Sequence, residues 1–97
     1  MKNKFLTTEQ AVKGYLKLGN LVENHGNFDQ AERVYKSALA IAKKESGAES
    51  ILAGYALNEL SDLYEKQGDL EQARAIRKRL SSLLMPHYSE MVQETQD

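Results

Sequence analysis

The side chains that could carry out chemistry are few in this chain, and their spacing does not favour catalysis. Its two histidines, His25 and His87, lie in a predicted turn and beside the single proline. Neither has a carboxylate or a nucleophile that the sequence places beside it. They do not form a metal-ligand spacing, cysteine is absent, and no glycine-rich loop follows a predicted strand. The sequence therefore predicts a protein that is not an enzyme, with no cofactor, metal site or small-molecule substrate.

The densest charge cluster is a basic run formed by Arg74, Arg77, Lys78 and Arg79. A basic run can meet nucleic acid, but no aromatic residues interleave with this one to stack on bases. The nearby Glu71 suggests compensation, and the net charge of the chain is only −1, so no global field steers it toward nucleic acid. We interpret the run as a solvated helix face and expect no nucleic-acid partner.

Length and composition predict one folded domain over residues 1–97. The chain is 41% hydrophobic and 28% charged, which is ordinary for a folded protein and unlike a disordered one. Its longest apolar stretch, from Ile51 to Leu57, is far shorter than the roughly 20 residues that span a bilayer. The N-terminus lacks the apolar core of a signal peptide, and no cysteine indicates an oxidising compartment. We expect a cytoplasmic protein with no membrane partner.

The elements that must position any site are helices. Thr7 followed by Gln10 fits a capping box, and Gly26 and Gly68 fit helix ends. A second helix should end near 46–47, and the third should begin at either Ser46 or Ser50. Apolar residues recur at helical spacing between these signals. The four stripes are Val12, Tyr15, Leu18, Leu21 and Val22; Phe28, Ala31, Val34, Tyr35, Ala38, Ile41 and Ala42; Ala53, Leu57, Leu60, Leu63 and Tyr64; and Leu70, Ala73, Ile76, Leu80, Leu83 and Leu84.

The second pair of helices repeats the first. Gly26 and Gly68 lie 42 positions apart, as do Ala31 and Ala73. The same offset relates residues on both helices of each pair: Ala11 and Ala53, Leu18 and Leu60, Leu21 and Leu63, Glu23 and Glu65, Gln30 and Gln72, and Lys36 and Lys78. A helix–turn–helix unit repeated at this spacing predicts a solenoid.

The repeated unit resembles the tetratricopeptide repeat family. The resemblance rests on segments 15–22 and 25–31, followed by Tyr35 and Ala38, and on a second copy from Leu57 to Ala73. An offset of 42, longer than the usual 34 or so, is similar to the long repeats of kinesin light chains. The resemblance implies an all-α fold in which antiparallel helix–turn–helix repeats stack as a short right-handed α-solenoid. Repeat 1 would span about 7–46 and repeat 2 about 47–85.

The resemblance also implies a function in binding a protein or peptide, because the first helices of such repeats line a concave groove that holds a peptide. The residues that would face this groove are Lys13, Lys17, Asn20 and Asn24 in repeat 1 and Tyr55, Glu59, Asp62 and Lys66 in repeat 2. Asn20 is the best single candidate, since an asparagine amide can bond both the N–H and the C=O of an extended peptide. The lysines are more often solubilising.

Small residues mark where the paired helices should cross closely. These are Gly19, Ala31 and Ala38, with the large side chains of Tyr15, Phe28 and Tyr35 filling the space beside them. In repeat 2, Ser61, Arg77 and Leu80 stand at the positions of Gly19, Tyr35 and Ala38. A charge at a packing position predicts that repeat 2 opens toward solvent or a cap.

The C-terminal segment 86–97 is predicted to be a short capping helix. Pro86 suits a first helical turn, and Tyr88, Met91 and Val92 have helical spacing; a frayed tail is the alternative. Because about three repeats are normally needed for stability, two repeats must cover their ends in another way. This segment, a second copy of the chain or further repeats could do so. Self-assembly as a homo-oligomer is therefore the alternative function.

Overall fold

Helices form the chain in the order that the capping signals and apolar stripes predict. In the computed structural model, the backbone is described for residues 7–95 and the side chains for residues 7–83. The helices are α1 (Thr8–Asn24), α2 (Phe28–Ser46), α3 (Ile51–Lys66) and α4 (Leu70–Thr95), and no strand occurs within the described range. The all-α helical-repeat architecture is confirmed.

Local signals explain where the helices begin and end. The Thr7 hydroxyl accepts from the Gln10 N–H at 3.1 Å and the Thr7 N–H donates to Gln10 Oε1 at 2.9 Å, which confirms the capping box. The third helix starts after Ser50, whose side chain accepts from the Ala53 N–H at 3.1 Å. The turns that follow α1 and α3 are copies of each other, since Gly26 and Gly68 both have a φ of 82°, which glycine adopts at little cost.

The helices pack consecutively, and the first helices of the two repeats also touch. Helix α1 contacts α2 and α3, and α3 contacts both α2 and α4. Contacts between α2 and α4 are absent from the described part of the chain. Because α1 and α3 touch while α2 and α4 do not, the stack curves with α1 and α3 on its inner side. No helix within residues 7–95 is long and apolar enough to cross a bilayer.

The core combines small side chains, mostly alanines of α2 and α3, with leucines and the two buried tyrosine rings of Tyr35 and Tyr64. Tyr35 is completely buried, and the alanines of α2 and α3 around it let the helices approach closely. The buried alanines of these two helices are Ala31, Ala38, Ala42, Ala53 and Ala56, and Ala73 of α4 is buried as well.

The predicted apolar stripe of α1 is wrong in part. Val12, Leu16 and Gly19 form the buried face of this helix, whereas Tyr15 and Leu18 are 40% and 46% exposed. Tyr15 therefore does not fill the space between the paired helices. The physical reason is that α1 packs against α2 and α3, while no described helix precedes it to cover the side that carries Tyr15 and Leu18.

A separate capping helix from Pro86 was expected, and the structure corrects this expectation. Helix α4 runs without a break from Leu70 to Thr95. Pro86 removes only one backbone donor, and the leucines and methionine before it favour helix, with no glycine to end the run. The side chains of Tyr88, Met91 and Val92 lie outside the described residues.

Candidate functional site

A partly buried polar cluster joins α1, α2 and α3 on the inner side of the stack. The Tyr35 hydroxyl lies 2.6 Å from Asn20 Oδ1 and 2.8 Å from Glu23 Oε1, and its single proton is shared between these acceptors. Glu23 is only 7% exposed, and its other carboxylate oxygen accepts from the Lys66 ammonium of α3. Burial and the neighbouring Glu23 carboxylate raise the pKa of Tyr35 far above its ordinary value. Tyr35 is therefore a neutral donor, and the cluster ties the two repeats together.

Repeat 2 contains an equivalent link between its two helices, called the clamp below. In repeat 1 the clamp is the pair of hydrogen bonds from Tyr35, and in repeat 2 it is a set of ion pairs. Arg77, at the position of Tyr35, donates to Asp62 Oδ1 at 3.2 Å and to both Glu65 oxygens at 3.1 Å. Asp62 and Glu65 stand 42 positions after Asn20 and Glu23, so both copies bridge the same helix positions. The Arg77 guanidinium holds the pKa of Glu65 below its ordinary value. Arg77 is 43% exposed, whereas Tyr35 is completely buried, and its ion pairs join α4 to α3 at this solvent-facing position.

The substitution of Gly19 by Ser61 follows from the same exchange. A Cβ at Gly19 would lie 2.2 Å from Cε1 of Tyr35, so the tyrosine ring requires glycine there. Repeat 2 has an arginine instead of this ring, and it accommodates a buried Ser61 whose hydroxyl donates to the Asn58 carbonyl at 2.8 Å. The departures of repeat 2 from the pattern are therefore coupled.

Four of the eight predicted groove residues gather at this cluster. They are Asn20, Glu59, Asp62 and Lys66. The Asn20 carbonyl oxygen accepts from the tyrosine hydroxyl, so it is already bonded within the protein. Burial, Asp62 and Glu23 raise the pKa of Glu59. The Lys66 bond to Glu23 raises the pKa of the lysine. The cluster is thus acidic, and the partly buried carboxylate of Glu59 is repelled by those of Asp62 and Glu23.

The other four predicted groove residues lie apart from this cluster. Lys13 pairs with Glu9 at 3.1 Å, and Lys17 and Asn24 are exposed. Tyr55 is 48% exposed and lines a cavity of about 280 Å³ between α3 and α4.

Sequence reasoning does not identify Glu23 or Tyr35 as members of the site. It assigns Tyr35 to packing alone, and Glu23 stands out only because it matches Glu65 in the repeat. A signal is nevertheless present, because a glutamate that recurs among repeated apolar positions indicates a bonding role within each unit. Within the described residues, no group of three or more His, Cys, Asp or Glu side chains is arranged to hold a metal ion.

Paired helices, repeated turns and a repeated clamp between the helices define the molecule as an all-helical repeat protein. A family model described as tetratricopeptide repeat matches residues 10–83. The chain belongs to the tetratricopeptide repeat family, whose repeats are in general protein–protein interaction modules. Comparisons with curated proteins and with solved structures gave no match.

Proposed function

We propose that this chain is a non-catalytic protein-binding module that holds a segment of a partner protein against the inner face formed by α1 and α3. Family membership supports protein binding in general. The observation that carries the more specific proposal is Glu59, a partly buried carboxylate whose pKa is raised by burial and by two neighbouring carboxylates. A partner segment that brings a positive charge to Glu59 would relieve this repulsion.

Among the carboxylates described on the inner face, Glu59 is the one without a lysine or arginine partner. Three carboxylates, those of Glu23, Glu59 and Asp62, lie near one another on this face. Lys66 bonds Glu23 and Arg77 bonds Asp62, whereas Glu59 forms no ion pair within the described residues. A lysine or arginine of the partner therefore fits best beside Glu59.

Helix α1 would present the opposite charge to the same segment. Lys17 stands at the position in repeat 1 that Glu59 occupies in repeat 2, and it is exposed. We expect the bound segment to place a basic residue over α3 and an acidic residue over α1. Such a charge pattern determines which partner binds more than how tightly it binds.

A displayed peptide library tests this function while the partner protein is still unidentified. Enriched peptides are labelled, and their affinities are measured by fluorescence anisotropy against the natural chain, Glu59→Lys and Lys17→Glu. Lys43→Glu, which changes an exposed lysine on α2, is the matched control. We expect enriched peptides to contain lysine or arginine, and Glu59→Lys to weaken binding about tenfold or more, as for loss of one charge-assisted contact.

Each outcome bears on a different part of the proposal. If no peptide binds at about 100 µM, an affinity weaker than roughly −5.5 kcal/mol, the peptide-binding function is rejected. If peptides bind but ignore both inner-face variants, the site lies elsewhere on the chain.

A second function, self-assembly, is favoured by one specific observation. Large apolar side chains of α1, including Leu18 and Leu21, are about half exposed on the side of this helix that α2 does not cover. A second copy of the chain could cover them.

A further inference from the structure

Helix α1 carries an apolar face on the side that α2 does not cover, called the α1 face below. It is formed by Ala11, Gly14, Tyr15, Leu18 and Leu21, together with Val22 at its edge, which is partly buried against the core. Tyr15, Leu18 and Leu21 are 40%, 46% and 59% exposed. Single exposed leucines are common on proteins, but these residues share one side of a helix over several turns. Contiguous apolar surface of this kind indicates an interaction site.

The equivalent residues of repeat 2 show that a neighbouring helix covers this kind of face. The residues 42 positions later on α3 are only 0–4% exposed. They are Ala53, Ala56, Leu57, Leu60, Leu63 and Tyr64. Helix α3 lies against the α2 helix of the preceding repeat, whereas α1 has no preceding repeat within the described residues. The α1 face is therefore a helix-binding surface.

Head-to-tail stacking, in which the α4 helix of a second copy takes the place of α2, would bury the Arg77 ion pairs of that copy. Tyr35 of α2 lies near the carboxylates of Glu59 and Asp62 on α3. In a head-to-tail stack, Arg77 would replace Tyr35, and Lys17 would replace Glu59. The contact would bury Arg77, with the Asp62 and Glu65 carboxylates that it bonds, where the internal interface buries a neutral ring, and desolvating these charged groups is unfavourable.

We infer that the α1 face is covered by the α1 face of a second copy, with the two helices antiparallel about a twofold axis near Leu18. The N-terminal half of the face carries the small Ala11 and Gly14 beside the ring of Tyr15, and the C-terminal half carries Leu21 and Val22. A twofold axis at Leu18 sets Gly14 against Val22 and Tyr15 against Leu21 of the other copy. The face is thereby self-complementary, as a closed dimer requires.

Gly14 gives this pairing room for close approach. A Cβ at Gly14 would meet no atom within 4 Å in the single chain. The space above it is therefore open to a side chain from the second copy. Antiparallel packing also opposes the two helix dipoles, which favours the arrangement.

Sedimentation velocity of the full chain between about 5 and 200 µM tests the dimer, a range that covers micromolar affinities. We expect a dimer whose dissociation constant rises by about 100-fold or more in Leu18→Glu, because leucines of both copies lose their apolar contact. Ile51→Glu is the matched control, since Ile51 is 58% exposed and lies on α3 outside the α1 face. It should leave the dimer intact, and circular dichroism should show that both variants are as helical as the natural chain.

Cross-linking tests the twofold axis itself, since the chain contains no cysteine of its own. Leu18→Cys should form a disulfide-linked dimer on oxidation, because the Leu18 residues of the two copies lie opposite each other at the twofold axis. Leu21→Cys should not, because the two positions would be displaced by about 9 Å along the helices, beyond disulfide reach. Mixing Leu18→Glu with Leu18→Lys should restore association through a mixed dimer.

This inference rests on the self-assembly function proposed above, and the results separate the two. A monomer at every concentration overturns both. A dimer that persists in Leu18→Glu overturns the α1 face but keeps self-assembly, and growth beyond a dimer overturns the twofold pairing in favour of open stacking. Peptide binding by the inner face is measured on other residues and is unaffected by these results.

Discussion

The contact between Gly19 and Tyr35 gives the sharpest prediction about what holds repeat 1 together. A Cβ added at Gly19 would lie 2.2 Å from Cε1 of the tyrosine and 2.6 Å from Cδ1. Carbon atoms prefer to be about 3.5–4.0 Å apart, so the ring would have to move by more than about 1 Å. Tyr35 is completely buried, and its hydroxyl is held by Asn20 and Glu23. The ring therefore has little freedom to yield.

Gly19→Ala is expected to destabilise the protein despite the higher helix propensity of alanine. Overpacking of this kind costs about 1–3 kcal/mol, and replacing a helical glycine by alanine returns about 0.5–1 kcal/mol. The net loss should be about 1–2 kcal/mol. For a chain of this size the midpoint of thermal unfolding should fall by roughly 5–10 °C. Urea and thermal unfolding followed by far-UV circular dichroism measure both quantities.

Gly54→Ala is the matched control, because a Cβ there would meet only Leu80 Cδ2, at an ordinary 3.8 Å. This variant should gain about 0.5–1 kcal/mol from helix propensity. In a Tyr35→Leu background, Gly19→Ala should cost less, since the ring atoms that it strikes are gone. If Gly19→Ala proves as stabilising as Gly54→Ala, the packing argument for repeat 1 is refuted.

Three further predictions concern the polar cluster and the helix caps. Tyr35→Phe should cost about 1.5 kcal/mol of unfolding free energy, because the buried Glu23 carboxylate loses a donor. Glu59→Gln should stabilise the protein at neutral pH by a few tenths of a kcal/mol, since the charged form of Glu59 is disfavoured on folding. The raised pKa of Glu59 means that the natural chain loses stability as pH rises through that pKa, so the gain should vanish below about pH 4. Ser50→Ala should cost about 1 kcal/mol by removing the cap of α3, whereas Ser46→Ala should change stability by less than about 0.5 kcal/mol.

Each of these predictions has its own control or contrary result, measured by urea unfolding. Tyr55→Phe alters an exposed tyrosine and should have almost no effect, so an equal loss there would contradict the argument for Tyr35. Glu65→Gln removes a carboxylate whose pKa is lowered by Arg77, so its effect should be opposite in sign to that of Glu59→Gln. A gain for Glu59→Gln that is the same at pH 7 and pH 3 would show that repulsion is not its cause. Equal losses in Ser50→Ala and Ser46→Ala would place the start of α3 elsewhere.

Local signals are enough to predict most of the fold. The capping box at Thr7 and the glycines at 26 and 68 act within a few residues of chain, and the structure confirms them. The fourth helix is predicted less well, because a proline preceded by strong helix formers permits either a new start or a continuation. The sequence also does not choose between Ser46 and Ser50, since both fit the same local pattern.

The candidate site is less predictable than the fold. Its eight residues are placed on the first helices by resemblance, and the structure shows four of them meeting around Tyr35 and Glu23. Whether a polar side chain bonds within the protein or faces a partner depends on atoms from three helices, and no spacing along one helix reports that. Asn20 illustrates the difference, since its carbonyl oxygen is already engaged by Tyr35.

By itself the sequence determined the repeat, most of its helix boundaries and the family, because these depend on local chain conformation and on residues recurring at one offset. Only the tertiary structure decided which apolar residues are covered. Leu18 and Leu60 are the same residue type at the same repeat position, yet Leu18 is 46% exposed and Leu60 is 3% exposed. Burial depends on the neighbouring helix as much as on the residue: α3 packs against the preceding α2, whereas no described helix precedes α1.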